Sequence, residues 1–421
     1  MIVELKYGTG HKRLNIPDKA RTSILSPAVV PVHEDLPAAF QKAMDSPLNA
    51  PPIETMPAPG LVAIAVSDES RPTPVKVLLP LLLNRLYRAY PRLRPEQIII
   101  IVGAGLHPPL TEHQLSRVLP RSIAPGCRIL SHDAINSPMT SFGATSRKTP
   151  VLINEEFASA DLKIVIGNID PHQFVGFTGG AKGAVIGCGA KRTIEANHSL
   201  MFHDKAYVAN IEGNPVRMDI DEAGRLIGIQ FAINVIMDSS NRVAKLLAGD
   251  PVSVYQAGAK VCASIYGATI PQQFDIAVAS CGGHPKDICL YQAQKGLAHA
   301  AQAVKPRGKI LLLAACPQGV GDDVYLEYVS RFPTPQAALH DFKRLGFKMG
   351  AHKAFLFART FVAFEVAIAS ELPPHILSRC HLQACDPQKT LDRWVEGFHG
   401  TPTVAVIPNA NTTYFTPSGC W

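Results

Sequence analysis

LKIVIGNIDPHQFVGFTGGAKGAVIGCGAKRTIEANH, residues 162–198, joins a short apolar run to a long glycine-rich stretch carrying two histidines, two lysines and an arginine. The run Leu162 to Ile166 reads as a strand buried on both faces, since a strand with one wet face would alternate apolar with polar residues. Four more runs of this kind occur: Leu61 to Val66, Gln97 to Val102, Asp275 to Ser280 and Lys309 to Ala314. Helix-like stretches lie between them, among them Val75 to Ala89 and Asp287 to Val304. Alternating strand and helix predicts an α/β fold with mostly parallel sheets. Thr403 to Ile407 reads as a further extended run, and the tail NANTTYFTPSGCW, residues 409–421, as loop.

A chain of 421 residues exceeds one typical domain and suffices for two. The segment YGATIPQQF, residues 266–274, contains Gly and Pro and precedes a fresh strand, which puts the junction there. The expected domains are residues 1–270 and residues 271–421. Hydrophobic residues make up 47% and charged residues 18%, the balance of a compact soluble protein rather than a disordered one. The net charge of +7 is not gathered into basic blocks, so a small anionic substrate is expected and nucleic acid is not. Nine cysteines with no CxxC pair argue for a reducing compartment, against a disulfide framework and against a Cys-based zinc site. The opening MIVELKYGTGHKRLNIP lacks the pattern of a secretory signal and no apolar stretch is long enough to span a membrane, so a cytoplasmic protein without a membrane partner is expected.

In open α/β sheets ligands collect beyond the carboxyl ends of the strands. Here those ends lead into SDESRPTP (67–74), GAGLHPP (103–109), GNIDPHQF (167–174) and CGGHPKD (281–287), which carry the polar residues toward one rim. The glycines of 167–198 suit a backbone that approaches a phosphate and aims its N–H groups at it, although a Gly-rich connection without ligand has the same composition. A P-loop is not present, because Lys182 follows Ala181 and precedes Gly183. The dinucleotide fingerprint fails at Arg192 after Gly187 and Gly189, and at Pro108 after Gly103 and Gly105. Lys182, between small residues, is open to covalent attachment or to phosphate binding. His198, after a predicted helix, is a candidate metal ligand, though a single histidine carries little weight and no HExxH is present. His107 and His172 sit in loops directly after strands and suit general acid/base work. Arg71 suits a bidentate grip on a carboxylate, while Asp68 either serves the same site or caps a helix beginning near Pro72. Tyr291 and Lys295, four apart, share one face of a helix, where a core tyrosine with a solvated lysine is the ordinary alternative to an anion site.

Taken in order, SDESRP (67–72), GAGLHPP (103–109), PHQFVGFTGGAK (171–182), ANH (196–198), GGHPKDICLYQAQKGL (282–297) and QGVGDD (318–323) resemble the nickel-dependent lactate racemase family, over most of the chain. The family racemises or epimerises small 2-hydroxy acids with a nickel-pincer nucleotide, a pyridinium mononucleotide whose two sulfur-containing arms and a ring carbon hold nickel. The resemblance implies an active site in a cleft between an N-terminal cofactor-binding catalytic domain and a C-terminal substrate-closing domain. It implies that Lys182 tethers the cofactor covalently and His198 is the protein ligand to nickel. It makes His107 and His172 the paired acid/base residues, with Arg71 and Lys295 holding the substrate. Asp68, Thr178, Gly179 and Gly180 fall to the cofactor; Arg71, Tyr291, Gln292 and Lys295 to the substrate. Enzymes that mature the cofactor are implied as partners. Departures from the family pattern stand at Thr178, where serine is usual, at Ile186, where proline is expected, and at Asn197 and Ser199, where the pattern is more basic.

The implied chemistry is hydride transfer. Removing a proton from the Cα of a hydroxy carboxylate would build a carbanion beside an existing charge, whereas loss of hydride with the hydroxyl proton gives a planar 2-oxo acid that can be reduced on either face. Two other readings stay open at this point: an oxidoreductase using diffusible NAD, and a non-catalytic protein that binds nickel or nucleotide.

Overall fold

The computed structural model describes residues 1–421 except 29, 122, 124, 239, 271 and 418–421. The chain forms two compact units, Val29–Ile265 and a second made of Met1–Ala28 with Tyr266–Trp421.

The 29–265 unit is built on a six-stranded sheet in the order Val243–Gly249, Phe231–Met237, Leu162–Asn168, Val62–Ser67, Ile98–Gly103, Arg128–Ser131. All neighbours are parallel except the first pair, which is antiparallel. The Leu162–Asn168 and Phe231–Met237 strands are buried at every position. That explains their lack of alternation, because helices and loops cover both faces of such a sheet. The Val75–Ala89 helix lays Leu78, Leu79, Leu82 and Leu86 on the sheet, against Ile64, Ile100 and Ile164. The register aligns the strand ends: Ser67 pairs with Gly103, Val66 with Ile166 and Asn234 with Gly167. Four carboxyl-terminal ends therefore open along one edge, but the CGGHPKD loop (281–287) expected on the same rim is not among them, because its strand, Phe274–Ser280, belongs to the sheet of the other unit.

The other unit carries a five-stranded sheet, parallel throughout, in the order Glu365–Ala369, Val304–Leu313, Phe274–Ser280, Thr403–Ile407, Arg21–Ile24. Its core takes in Val3, Leu5 and Leu14 of an N-terminal hairpin, Ile2–Tyr7 with Gly10–Asn15. The sequence suggests one cut near residue 270, but compactness divides the chain twice, and the first 28 residues pack with the last third.

Two sequence readings are corrected. The helix expected from Asp287 to Val304 runs Leu290–Ala300, followed by a short 3-10 turn. Asp287 lies before it because its buried carboxylate accepts hydrogen bonds from the Gly8 and Ala315 amides at 2.7 and 3.2 Å, and Val304 already belongs to the next strand. The tail is not all loop: Tyr414–Pro417 is a strand, paired in parallel with Gly267–Ile270 at the expected junction. The eight described cysteines are all free, with Cys420 outside the described residues. Among the described residues no helix is long and apolar enough to cross a membrane.

Candidate active site

At the sheet edge of the 29–265 unit, one cavity is lined by Ser67, Asp68, Arg71, His107, Asn168, Thr178, Lys182 and Asn234, with glycines 103, 167, 179, 180, 183 and 187 in its wall. The glycines let two loops touch. A Cβ at Gly187 would stand 2.0 Å from the carbonyl oxygen of Gly183, and one at Gly103 would stand 3.1 Å from Gly187 itself. Any side chain there would push the 103–109 and 182–189 segments apart.

Asp68 is buried at the root of the first loop. Its Oδ1 accepts from the Ser70 amide and hydroxyl at 3.1 and 2.5 Å, and its Oδ2 lies 2.8 Å from His107 Nδ1. Burial pushes this carboxyl up, but the hydrogen bonds from His107 and Ser70 and the charges of His107 and Arg71 outweigh it and hold the group below its ordinary value. An ionised carboxylate accepts the Nδ1 proton of His107 and leaves Nε2 for the cavity side. The capping alternative for Asp68 is overturned, because the helix begins at Val75 behind Pro74 with no side-chain cap.

The glycine-rich loop starts with a tight pair, Pro171–His172 against Gly176–Phe177. Thr178 Oγ1 donates to the Asn168 carbonyl at 2.8 Å and accepts from the Asp170 amide at 2.9 Å. The Thr178 amide donates to the Asp170 carbonyl at 2.9 Å, and the Gly180 amide to Asn234 Oδ1 at 2.7 Å. These two amides hold the loop's own shape, so at 178 and 180 the expectation of N–H groups turned outward to a phosphate is not met. Gly179 and Gly180 have φ of +91° and +57°, and a Cβ would stand 2.4 Å from Ile169 Cγ1 and 2.6 Å from the Pro251 carbonyl respectively.

Arg217 buttresses the loop from behind. Its Nη1 donates to the Gly179 carbonyl at 2.9 Å, its Nε to Asp221 at 3.0 Å, and its guanidinium stacks 3.4 Å from the Tyr255 ring centroid. Arg217→Ala would strand Asp221 as a nearly buried charge and free the loop, so a loss of about 3–5 kcal/mol is expected. A fall in the urea midpoint of the apoprotein measures it, and an unchanged midpoint refutes the buttress.

Lys182 opens the Lys182–Val185 turn and lines the cavity. Burial, with the charges of Arg71 and Arg217, presses its pKa from 10.5 down to about 7, against a smaller pull from Asp68. The unfolded chain therefore holds this proton more tightly than the folded one. The charge penalty is complete below about pH 7 and is relieved as pH rises toward 10.5. Apoprotein Lys182→Met should be the more stable at pH 7, and the gap should narrow by up to about 1.4 kcal/mol per pH unit above that. Unfolding titrations at pH 7 and 9.5 measure this, and a constant gap refutes it.

His198 sits near the end of the Lys191–Ser199 helix, buried, with its pKa pushed down to about 3 by burial first and then by the charge of Lys182. Its imidazole is neutral at ordinary pH. Asn197 Nδ2 donates to the Val216 carbonyl at 3.0 Å and to Asp219 Oδ2 at 2.8 Å, which turns Asn197 Oδ1 to His198 Nδ1 at 3.0 Å. That network assigns the proton to Nδ1 and leaves the lone pair on Nε2, the arrangement a metal ligand needs. His172 and His198 flank Phe174, with ring centroids 4.7 and 5.1 Å away.

The structure thus gathers Asp68, Arg71, His107, Thr178, Gly179, Gly180 and Lys182 around one cavity, with His198 in electrostatic reach of Lys182. Tyr291, Gln292 and Lys295 belong to the other unit, on the Leu290–Ala300 helix. Sequence reasoning named Asn197 only as a departure from the family pattern and missed Asn168, Arg217 and Asn234. The last had a visible signal, a lone amide inside the apolar run FAINVIM.

Among the described residues no group of three or more His, Cys, Asp and Glu side chains could hold a metal ion. An amine poised near neutrality and a neutral imidazole with a directed lone pair fit a group that is tethered at one end and metallated at the other.

Residues 7–209 match the family model described as lactate racemase N-terminal domain, and residues 270–412 the lactate racemase C-terminal domain. A lactate racemase of Lactiplantibacillus plantarum is 30% identical over 383 residues, 88% of each chain. One of Thermoanaerobacterium thermosaccharolyticum is 28% identical over 80% of each. The structure of the lactate racemase apoprotein from Thermoanaerobacterium thermosaccharolyticum aligns over 99% of this chain and all of its own, with a TM-score of 0.91 at 23% identity. A Thermotoga maritima protein aligns over 93% of this chain with a TM-score of 0.66 at 14% identity.

Proposed function

Because the chain belongs to the lactate racemase family, we propose that it is an isomerase that interconverts the enantiomers or epimers of a small 2-hydroxy acid. The observation that carries this reading is the Lys182 amine, pressed to about 7 on the same cavity wall as the Asp68–His107 pair and Arg71.

In this reading Lys182 would tether a nickel-pincer nucleotide and His198 Nε2 would ligate its nickel. When bound, that group supplies a reversible hydride acceptor. His107, its Nδ1 held by Asp68, takes the substrate's hydroxyl proton at Nε2 and returns it in the reverse direction. His172 does the same for the opposite enantiomer. Arg71 holds the substrate carboxylate in two parallel hydrogen bonds, and Lys295, with Tyr291 and Gln292 on its helix, completes the grip. Gly179, Gly180 and Thr178, braced by Asn234 and Arg217, give the cavity a fixed wall, and a fixed wall costs no reorganisation during the reaction.

Chiral chromatography of enantiopure 2-hydroxy acids, with protein matured in a host that makes the nickel-pincer nucleotide, tests this. Each accepted acid should converge on a mixture of both configurations with no NAD added. An enzyme that turns over only with added NAD, or leaves every acid unchanged, is not this isomerase.

A further inference from the structure

One buried carboxylate of the 29–265 unit has no cation beside it. Asp219, on the Pro215–Ile227 helix, is closed off from solvent. Its Oδ2 accepts from Asn197 Nδ2 at 2.8 Å and its Oδ1 from Thr145 Oγ1 at 2.5 Å. Thr145 opens the turn of the hairpin formed by Met139–Ala144 and Pro150–Asn154, and its hydroxyl also accepts from the Thr149 amide at 3.1 Å. Among the described residues no cation lies within ion-pair distance of Asp219, and the arginines that flank it in the fold are engaged elsewhere, Arg217 with Asp221 and Arg147 with Glu222. Both oxygens of Asp219 accept, which is the part of an ionised carboxylate. Such a charge is costly to bury among neutral donors, and an asparagine of the same shape could tie the same segments together.

The hydrogen bonds show what the charge can reach. Asn197 donates its amide protons to Asp219 and to the Val216 carbonyl, and its Oδ1 faces His198 Nδ1 at 3.0 Å. The order is therefore carboxylate, amide, imidazole, with the proton of each link pointing back toward Asp219. In an interior of low dielectric such links polarise one another. A negative charge at Asp219 draws on the Asn197 amide protons, raises the electron density on the amide oxygen, and through it draws on the Nδ1 proton, so that the lone pair on Nε2 becomes the stronger donor. We propose that Asp219 is a positioning residue for His198, which it reaches through Asn197, and that its charge strengthens Nε2 as a ligand for a metal cation. The cation rests on the proposed function, while the relay rests on the hydrogen bonds alone.

Two measurements test this, and the first needs no metal. In apoprotein labelled with 15N-histidine, the hydrogen-bonded Nδ1 proton of His198 should resonate downfield among the ring N–H signals, where its loss in His198→Gln identifies it. Asp219→Asn removes the charge and can keep both hydrogen bonds, so it should fold and move this resonance upfield, with Asp219→Ser as a second neutral replacement should the first not fold. Thr145→Val removes a donor that competes for the carboxylate, so it should leave the resonance in place or move it downfield. A resonance that the neutral replacement leaves unmoved overturns the proposal. So does one that Thr145→Val moves upfield as well, because contacts that only hold the fold would respond alike. In protein matured in a host that makes the nickel-pincer nucleotide, Asp219→Asn should keep the covalent adduct in its intact mass but hold nickel about 10–100-fold more weakly than the wild type against a competing chelator. Nickel held equally well overturns the proposal. A wild type that carries neither adduct nor nickel defeats the proposed function instead, and the resonance then decides the relay by itself.

Discussion

Lys182→Ala protein, expressed in a host that makes the nickel-pincer nucleotide, is expected to show its bare polypeptide mass, where the wild type is heavier by a covalent group. It should also lose all measurable interconversion. Bond formation by an amine needs its lone pair. A solvated lysine at pH 7 offers that in roughly one molecule in 3,000, whereas an amine with a pKa of about 7 offers it in about half. The difference comes from surroundings that Lys182 cannot escape: burial, and two guanidinium groups, Arg71 and Arg217, on its cavity side and behind its loop. Lys182→Arg is the stricter companion, because it keeps the charge and length but not the nucleophile. Intact-mass measurement decides the point. An adduct that survives in Lys182→Ala places the tether elsewhere.

The second large effect concerns His107. His107→Ala should retain its nickel and lose interconversion by about 10²–10⁴-fold, the range that positioned proton transfer contributes. His172→Ala should behave alike if both configurations are served. Asp68→Asn is the more revealing change. The amide can still accept from Ser70, but if it turns its NH2 toward His107 it forces the imidazole into the opposite tautomer and points a proton where a base is needed. Its activity should therefore fall nearly as far as that of His107→Ala while its fold and nickel content persist. Metal analysis beside chiral chromatography separates the outcomes, and undiminished racemisation removes the altered residue from the reaction.

The parallel sheets were legible in the chain because strands covered on both faces need unbroken apolar runs, and Thr403–Ile407 appears in the structure with the same limits. So does Val75–Ala89. Loops at strand ends were equally readable, since polar residues interrupt those runs at the points where Ser67, Gly103 and Gly167 lie side by side. What the glycines do was not. Composition suggested amides turned to a phosphate, while Gly179 and Gly180 are required by the closeness of Ile169 and Pro251, which lie ten and about seventy residues away along the chain. Asn197 stood out only as a departure from a family pattern, and its reason is three-dimensional: Asp219 and Val216 fix its amide so that its oxygen faces His198. Arg217 showed in sequence only as the first half of an i,i+4 pair with Asp221, the pattern of an ordinary helix-surface ion pair, while Gly179 and Tyr255, which give it its role, are distant along the chain. Periodicity reports which face of an element is covered, and it is silent on which distant element does the covering.

The strand Arg21–Ile24 closes one edge of a sheet whose neighbouring strand, Thr403–Ile407, is made some 380 residues later. During synthesis this edge strand leaves the ribosome with no partner, and the whole 29–265 unit can fold while it waits. At the usual elongation rates of about 5–20 residues per second, that interval is tens of seconds, during which an unpaired edge and the hairpin before it are open to other strands. Expression of residues 266–421 alone would omit that edge strand and the Val3, Leu5 and Leu14 side chains from the core, so a fragment for study of the second unit needs the first 28 residues joined back to it by a short linker.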